Sequence, residues 1–336
     1  METRNHTPFP MLEFESRGHG GEVFHVLVLK ATFALQTGPR LRPDPSQRPL
    51  ALADEYYDAA NGSSLRFECD ISPFKPTTDI HVVGHARAPG SMPQTSWSIQ
   101  ARVGEISKSL CVTGPRSWRR SNGWGRWTLS HPIACVVVPL RYELAYGGVR
   151  GQGSSAQVCV ENPVGCGFGG DERGGEIRAP QIEDPNDPIC EYGRAHLPQG
   201  MGPIARSWQP RLTKAGTFDQ RWLDARWPDI PDDFDFAHYN SAHPDLIAPE
   251  YLGGDEEFLL SGFHPEGPIS AALPGYTVFA LVRLTNGVMT PAPMNLDTVV
   301  FDVDAWVACL TWRCRVPARL GVRVVEIRLN APGDGR

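Results

Sequence analysis

VFHVLVLKATFAL, residues 23–35, decides the fold. The run is apolar on both sides of a two-residue period and rich in β-branched and aromatic residues, which predicts a strand buried in the middle of a sheet. Outward from it, residues 80–86 form a shorter strand with Ile80 and Val82 on one face. Trp97, Ile99, Ala101 and Val103 alternate with Ser98, Gln100 and Arg102, a half-buried strand. Gly104-Glu105 turns that strand into residues 106–113 as a hairpin. Asn122-Gly123 marks a second hairpin between residues 116–120 and 125–129. Residues 134–142 read as a further strand, with Pro139 placing it at an edge or bulge. The chain returns to strands at 258–261, 276–283, 298–303, 307–313 and 320–329.

Between these strand-rich parts, residues 147–210 form an irregular Gly/Pro-rich meander, anchored by Val164, Phe168, Ile177, Ile182 and Ile189. Residues 217–227 predict a short helix. Thr217 and Gln220 stand at capping-box spacing, Phe218 and Trp222 lie one turn apart on a shared buried face, and Pro228 forces the stop. The fold class expected is mainly β: a large sheet or sandwich-like body with the meander and one or two short helices. It is organised as one compact domain over residues 1–336, with the strands of 256–330 packing on the N-terminal sheet. The 34 glycines and 31 prolines in 336 residues exceed the usual share and disfavour helical bundles.

Composition narrows function. The net charge of −6 gives no help to nucleic-acid binding. No residue run approaches the ~18 apolar residues of a membrane span. The start of the chain has no apolar run of signal-peptide type, so a cytoplasmic protein with reduced thiols is expected. None of Lys30, Lys75, Lys108 and Lys214 follows glycine, which excludes a P-loop. His81 and His85 share a strand face but lack further zinc ligands. Cys159/Cys166 and Cys309/Cys314 lack zinc-ribbon spacing, and there is no GxSxG elbow. No catalytic residue, cofactor or metal is expected, and the eight thiols are expected free. Residues 116–127 mix arginine and tryptophan, which reads as a hairpin with packed indoles rather than a nucleic-acid surface.

Electrostatics is the most unusual feature. From Trp227 to Val282 there is no lysine or arginine, yet the span carries ten carboxylates. Residues 171–260 hold 18 acidic and 8 basic side chains. Such asymmetry steers a basic partner toward one end of the molecule. Asp232, Asp233 and Asp235, with Phe234 and Phe236 interleaved, are the candidate partner-binding residues. Two other readings compete: a solvated stretch neutralised by arginines elsewhere in the fold, and a cation site, which the absence of a DxDxDG loop disfavours.

Several blocks stand in order: residues 63–90 (SSLRFECDISPFKPTTDIHVVGHARAPG), 139–148 (PLRYELAYGG), 161–168 (ENPVGCGF), 180–189 (PQIEDPNDPI), 202–240 (opening GPIARSWQPRLTKAGTF) and 296–304 (LDTVVFDVD). Nearly the whole chain thereby resembles a bacterial family of unknown-function domains encoded in type VI secretion gene clusters, beside the VgrG spike, PAAR tip proteins and toxic effectors. The resemblance implies a non-enzymatic adaptor or chaperone that loads an effector onto the VgrG/PAAR spike, with no membrane or nucleic-acid partner. It carries over no catalytic residues, and Cys69 and Cys166 depart from the family's pattern. Within the blocks, Arg141, Asn162, Trp208, Arg211, Asp235 and Asn240 are expected mostly buried and hydrogen-bonded. The alternatives are a hydrolase using the carboxylates of 184–187 and 232–235, recognisable by a concave pocket with converging carboxylates, or a carbohydrate-binding β-sandwich with a row of exposed aromatics.

Overall fold

The residue 23–35 run forms a strand at Val23–Ala34 and sits inside a six-stranded sheet, paired on both edges as a central strand must be. In this computed structural model, which describes residues 1–120, 125–169 and 175–332, Met11–Arg17 pairs with one edge of that strand and Val307–Pro317 with the other. Asn295–Asp302 and Asp79–Val83 continue the sheet outward. A second, five-stranded sheet contains the hairpin Ser96–Val103/Ile106–Thr113, in register from Val103↔Ile106 to Ser96↔Thr113. Gly104 takes φ +54° at the first turn position, which a side chain would resist. A third sheet pairs Glu2–Asn5, Val322–Asn330, Thr277–Leu284 and Met289–Pro293. Among the described residues strands make up 42% and helices 9%, so the fold is mainly β.

One apolar core joins the three sheets. Leu29, Phe33 and Phe301 of the first face Ile99, Leu110 and Phe258 of the second, the Phe258 and Phe301 rings lying 4.9 Å apart, and Val278 and Ile327 of the third close it. Trp118, Trp127, Tyr146, Ile177 and Ile189 make a smaller core under the meander. The expected indole packing is there; the Asn122-Gly123 turn itself lies outside the described residues, while its arms pair at Trp118↔Leu129 and Arg120↔Trp127.

Four expectations are corrected. The C-terminal strands do not merely pack on the N-terminal sheet: two of them are its interior, because hydrogen bonding beside Val23–Ala34 satisfies backbone that would otherwise be buried unpaired. The 134–142 strand shrinks to Val137–Pro139, which pairs with His85–Arg87 before a 3₁₀ turn at Tyr142–Leu144. The helix is Gln220–Ala225, capped by Asp219, whose carboxylate accepts from the Trp222 amide at 2.9 Å. Thr217 is instead drawn to Asp233, and Phe218 stands outside the helix and is exposed. Replacing Asp219 with alanine is expected to cost about 1 kcal/mol, read as faster hydrogen exchange of the Trp222 amide than in the parent. No helix among the described residues is long and apolar enough to cross a membrane.

Candidate functional site

The two faces of the six-stranded sheet differ in chemistry. Register places Thr32, Cys309, Val300 and His81 in one row and Lys30, Thr311, Thr298 and Asp79 in the next, all on the face opposite Leu29, Phe33, Ile80 and Leu310. A polar face of this kind ordinarily meets water. Here the chain from Gln47 to Lys75 folds over it. Gln47 exchanges hydrogen bonds with the Thr32 backbone at 2.8 and 2.9 Å. Arg48 reaches Asp302 at 2.9 Å, and Lys30 Nζ holds Asp70 at 2.8 Å. Arg313 pairs with Asp297 at 2.6 Å and donates to the backbone oxygens of Asp70 and Ser72. Between sheet and cover lies a cavity of about 390 Å³, walled in part by Leu50, Phe67, Glu68, Lys75, His81 and Val300.

Part of its wall belongs to a buried charge network. Glu68 Oε1 accepts from Arg211 at 2.6 Å and Arg206 at 3.2 Å, and Lys75 Nζ lies 3.5 Å from Oε2. Lys75 also donates to Asp79 at 2.7 Å, and Asp79 accepts from Asn240 Nδ2 and the Ser241 amide at 2.9 and 2.8 Å. Burial alone would raise the Glu68 carboxyl, but Arg211, Lys75 and Arg206 outweigh it and hold the group well below the usual carboxylate range. Burial pushes His81 down to about 4, against the opposing pull of Asp79, so its imidazole is neutral. Asp79, Lys75, Glu68 and Arg211 are the charges that act on it. Ser241 Oγ stands 3.3 Å from His81 Nε2, with Asp79 Oδ2 4.0 Å from the same nitrogen. This is not the arrangement that activates a serine. There the carboxylate orients the imidazole from the opposite nitrogen, whereas His81 Nδ1 is buried with no partner.

The acidic–aromatic segment adjoins this network from the other side. Phe234 is 8% exposed and packs among His19, Phe236, His238 and Tyr239, so its ring offers little surface to a partner. Phe236 packs edge-on against Phe74, and Arg315 spans both rings at 5.3 and 4.1 Å. Asp233 ties down Thr217 through its amide and hydroxyl at 2.9 and 2.7 Å, and Asp235 caps the Phe236–Tyr239 turn. Asp232 is exposed and pairs with Arg226 at 2.6 Å. Asp229 and Asp245 find Arg17 and Lys108, in keeping with neutralisation by cations from elsewhere in the chain. The apolar surface lies beside this segment instead. Phe218, Leu223 and Trp227 are 56%, 50% and 66% exposed, linked by edge-on contacts of Trp222 with Phe218 and Trp227 at 4.8 and 5.7 Å.

Other sequence expectations resolve simply. His81 and His85 do not form a pair: Gly84, at φ +120°, separates their strands, and His85 binds Asp304 at 2.6 Å. All eight cysteines are free thiols. Among the described residues no group of three or more His, Cys, Asp or Glu could hold a metal. Asn162, Trp208, Arg211 and Asn240 are buried, Asn162 donating to the Tyr142 and Tyr146 carbonyls at 2.8 and 3.0 Å. Arg141 is half-buried over Tyr57, and Asp235 is exposed because its capping role needs only a turn, not a core. Sequence reasoning missed the covered polar face. Its signal was present as polar residues two apart on strands: Lys30/Thr32, Asp79/His81 and Thr311/Arg313.

A family model described as an uncharacterized protein conserved in bacteria, DUF2169, matches residues 19–313. The chain belongs to the DUF2169 family. The matched span begins before the Val23–Ala34 strand and ends at Arg313, so all the residues that line the cavity of this DUF2169 chain fall within it. No curated protein and no solved structure matches the chain.

Proposed function

We propose that this DUF2169 protein is a non-enzymatic adaptor that binds a type VI secretion effector and helps load it onto the VgrG spike and its PAAR-type tip. The reading draws on the sequence resemblance described above. The single observation that supports it is the exposed surface of Phe218, Leu223 and Trp227 beside Asp219, Asp224 and Asp232. Aromatic side chains held by neighbours but open to solvent supply interface anchors at small entropic cost. The carboxylates orient a basic partner surface and quicken encounter. The same carboxylates disfavour an anionic lipid surface as the occupant.

Affinity capture from the native cell tests this. The parent chain is expected to bring down the effector with VgrG or the PAAR-type protein, each identified by mass. Joint replacement of Phe218, Leu223 and Trp227 by alanine is expected to weaken effector binding about 100-fold, two anchors of about 1–2 kcal/mol being enough. Because these side chains are exposed, the fold should persist. Unchanged capture by the folded triple variant overturns the reading. Asp232→Lys is the clean probe of charge, since Asp233 and Asp235 hold turns. It should slow association and flatten its salt dependence while costing under about 1 kcal/mol of stability.

A further inference from the structure

The strongest unassigned feature is the cavity under the 47–75 cover. Its volume of about 390 Å³ falls within the range of small-molecule sites. Its charges are balanced in pairs: Lys30 with Asp70, Arg48 with Asp302, Arg66 with Glu55, Lys75 with Asp79 and Glu68, Arg313 with Asp297. An anion or a cation entering would find its counter-charge already engaged and would bear the desolvation cost of an unpaired ion. What the wall leaves open is hydrogen-bond acceptance. His81 is 3% exposed, and its Nδ1 has no partner. Asp79 beside Nε2 favours the tautomer with the proton on that nitrogen, leaving a lone pair on Nδ1. Glu68 Oε2 is also buried and makes no close hydrogen bond, its nearest cation being Lys75 Nζ at 3.5 Å. Leu50, Val300 and Phe67 add apolar surface to the same wall.

We propose that this cavity binds a small neutral polyhydroxylated molecule, of monosaccharide to disaccharide size, whose hydroxyls donate to His81 Nδ1 and Glu68 Oε2 while its C–H faces rest on Leu50 and Val300. A neutral polyol adds no charge to a balanced site and supplies an O–H donor to the unpartnered His81 Nδ1 and a closer one to Glu68 Oε2. The site is independent of the adaptor reading, because none of its residues belongs to the Phe218/Leu223/Trp227 surface.

The test uses the full chain with glucose, N-acetylglucosamine and trehalose as probes, and citrate, inorganic phosphate and spermidine as charged comparisons. Saturation-transfer NMR detects binding, and unfolding temperature gives an independent measure. At least one neutral probe is expected to bind and raise the unfolding temperature. Leu50→Trp, which fills the cavity from the cover without touching the charge network, should weaken binding at least tenfold. His81→Phe, which removes the acceptor at similar volume, should do the same. If His81→Phe does not fold, Leu50→Trp carries the decision alone. Binding of none of the neutral probes, meaning that the cavity holds only water, overturns the proposal. So does binding of a charged comparison in their place, or neutral-probe binding that survives Leu50→Trp.

Discussion

Glu68→Gln is expected to destabilise the protein by about 3–5 kcal/mol, the scale for leaving buried charge uncompensated. The Glu68 side chain is the common partner of Arg211 at 2.6 Å, Arg206 at 3.2 Å and Lys75 at 3.5 Å. Arg211 and Lys75 are themselves buried. Glutamine keeps the shape and one acceptor oxygen but removes the charge, so the loss is electrostatic rather than a cavity. Arg211 retains its bonds to the His238 and Ile204 carbonyls, which limits the damage short of full collapse. The comparison is Asp232→Asn, which breaks an exposed ion pair and should cost at most about 1 kcal/mol. Urea unfolding of the two variants separates the cases. A Glu68→Gln loss no larger than that of Asp232→Asn would mean that the network contributes nothing to stability.

Stability is also expected to fall as pH drops from about 6.5 to about 4. Burial pushes both His81 and His243 down to about 4, with Lys108 acting on His243 in the same direction and Asp245 opposing. In the unfolded chain both titrate near pH 6.5. Between those values the unfolded state binds protons that the folded state refuses, so lowering pH favours unfolding. Above pH 6.5 these groups contribute no slope. Each is worth about 3 kcal/mol by pH 4. His238, lowered by burial as well, acts in the same direction. Glu68, Asp79 and Asp245 have lowered carboxyls, whose contribution is lost only below about pH 4, so the window between belongs to the histidines. Denaturant midpoints at pH 7.5, 5.5 and 4.5 should decline, and His81→Phe should show a shallower decline than its parent. A flat profile across those three values would contradict the buried neutral imidazoles.

The strand pattern was legible in the residues because burial imposes it locally. Residues 96–103 alternate so regularly that the hairpin and its turn at Gly104-Glu105 could be read directly, and the structure pairs them in register. Residues 23–35 called for a central strand because both faces are covered, and both are. The second face is not apolar throughout. Lys30 and Thr32 interrupt it, and their meaning depends on Asp79, His81, Thr311 and Arg313, which reach the same face only through strand pairing across more than two hundred residues.

The helix start is likewise set by a residue distant in sequence. Thr217 and Asp219 both have capping side chains, and the choice fell to Asp219 because Asp233, distant in the local pattern, captures the threonine hydroxyl. Likewise Phe234 and Phe236 read from sequence as partner-facing, yet Phe74 and Arg315 draw the Phe236 ring inward. The long buried and alternating strands, the β class and the charge asymmetry follow from the sequence by itself, since alternation and composition are properties of neighbours along the chain. Tertiary structure alone decided which polar residues are covered, which carboxylates are paired and which aromatics remain in water. Burial and Coulomb interactions depend on distance in space, and only the folded chain sets that distance.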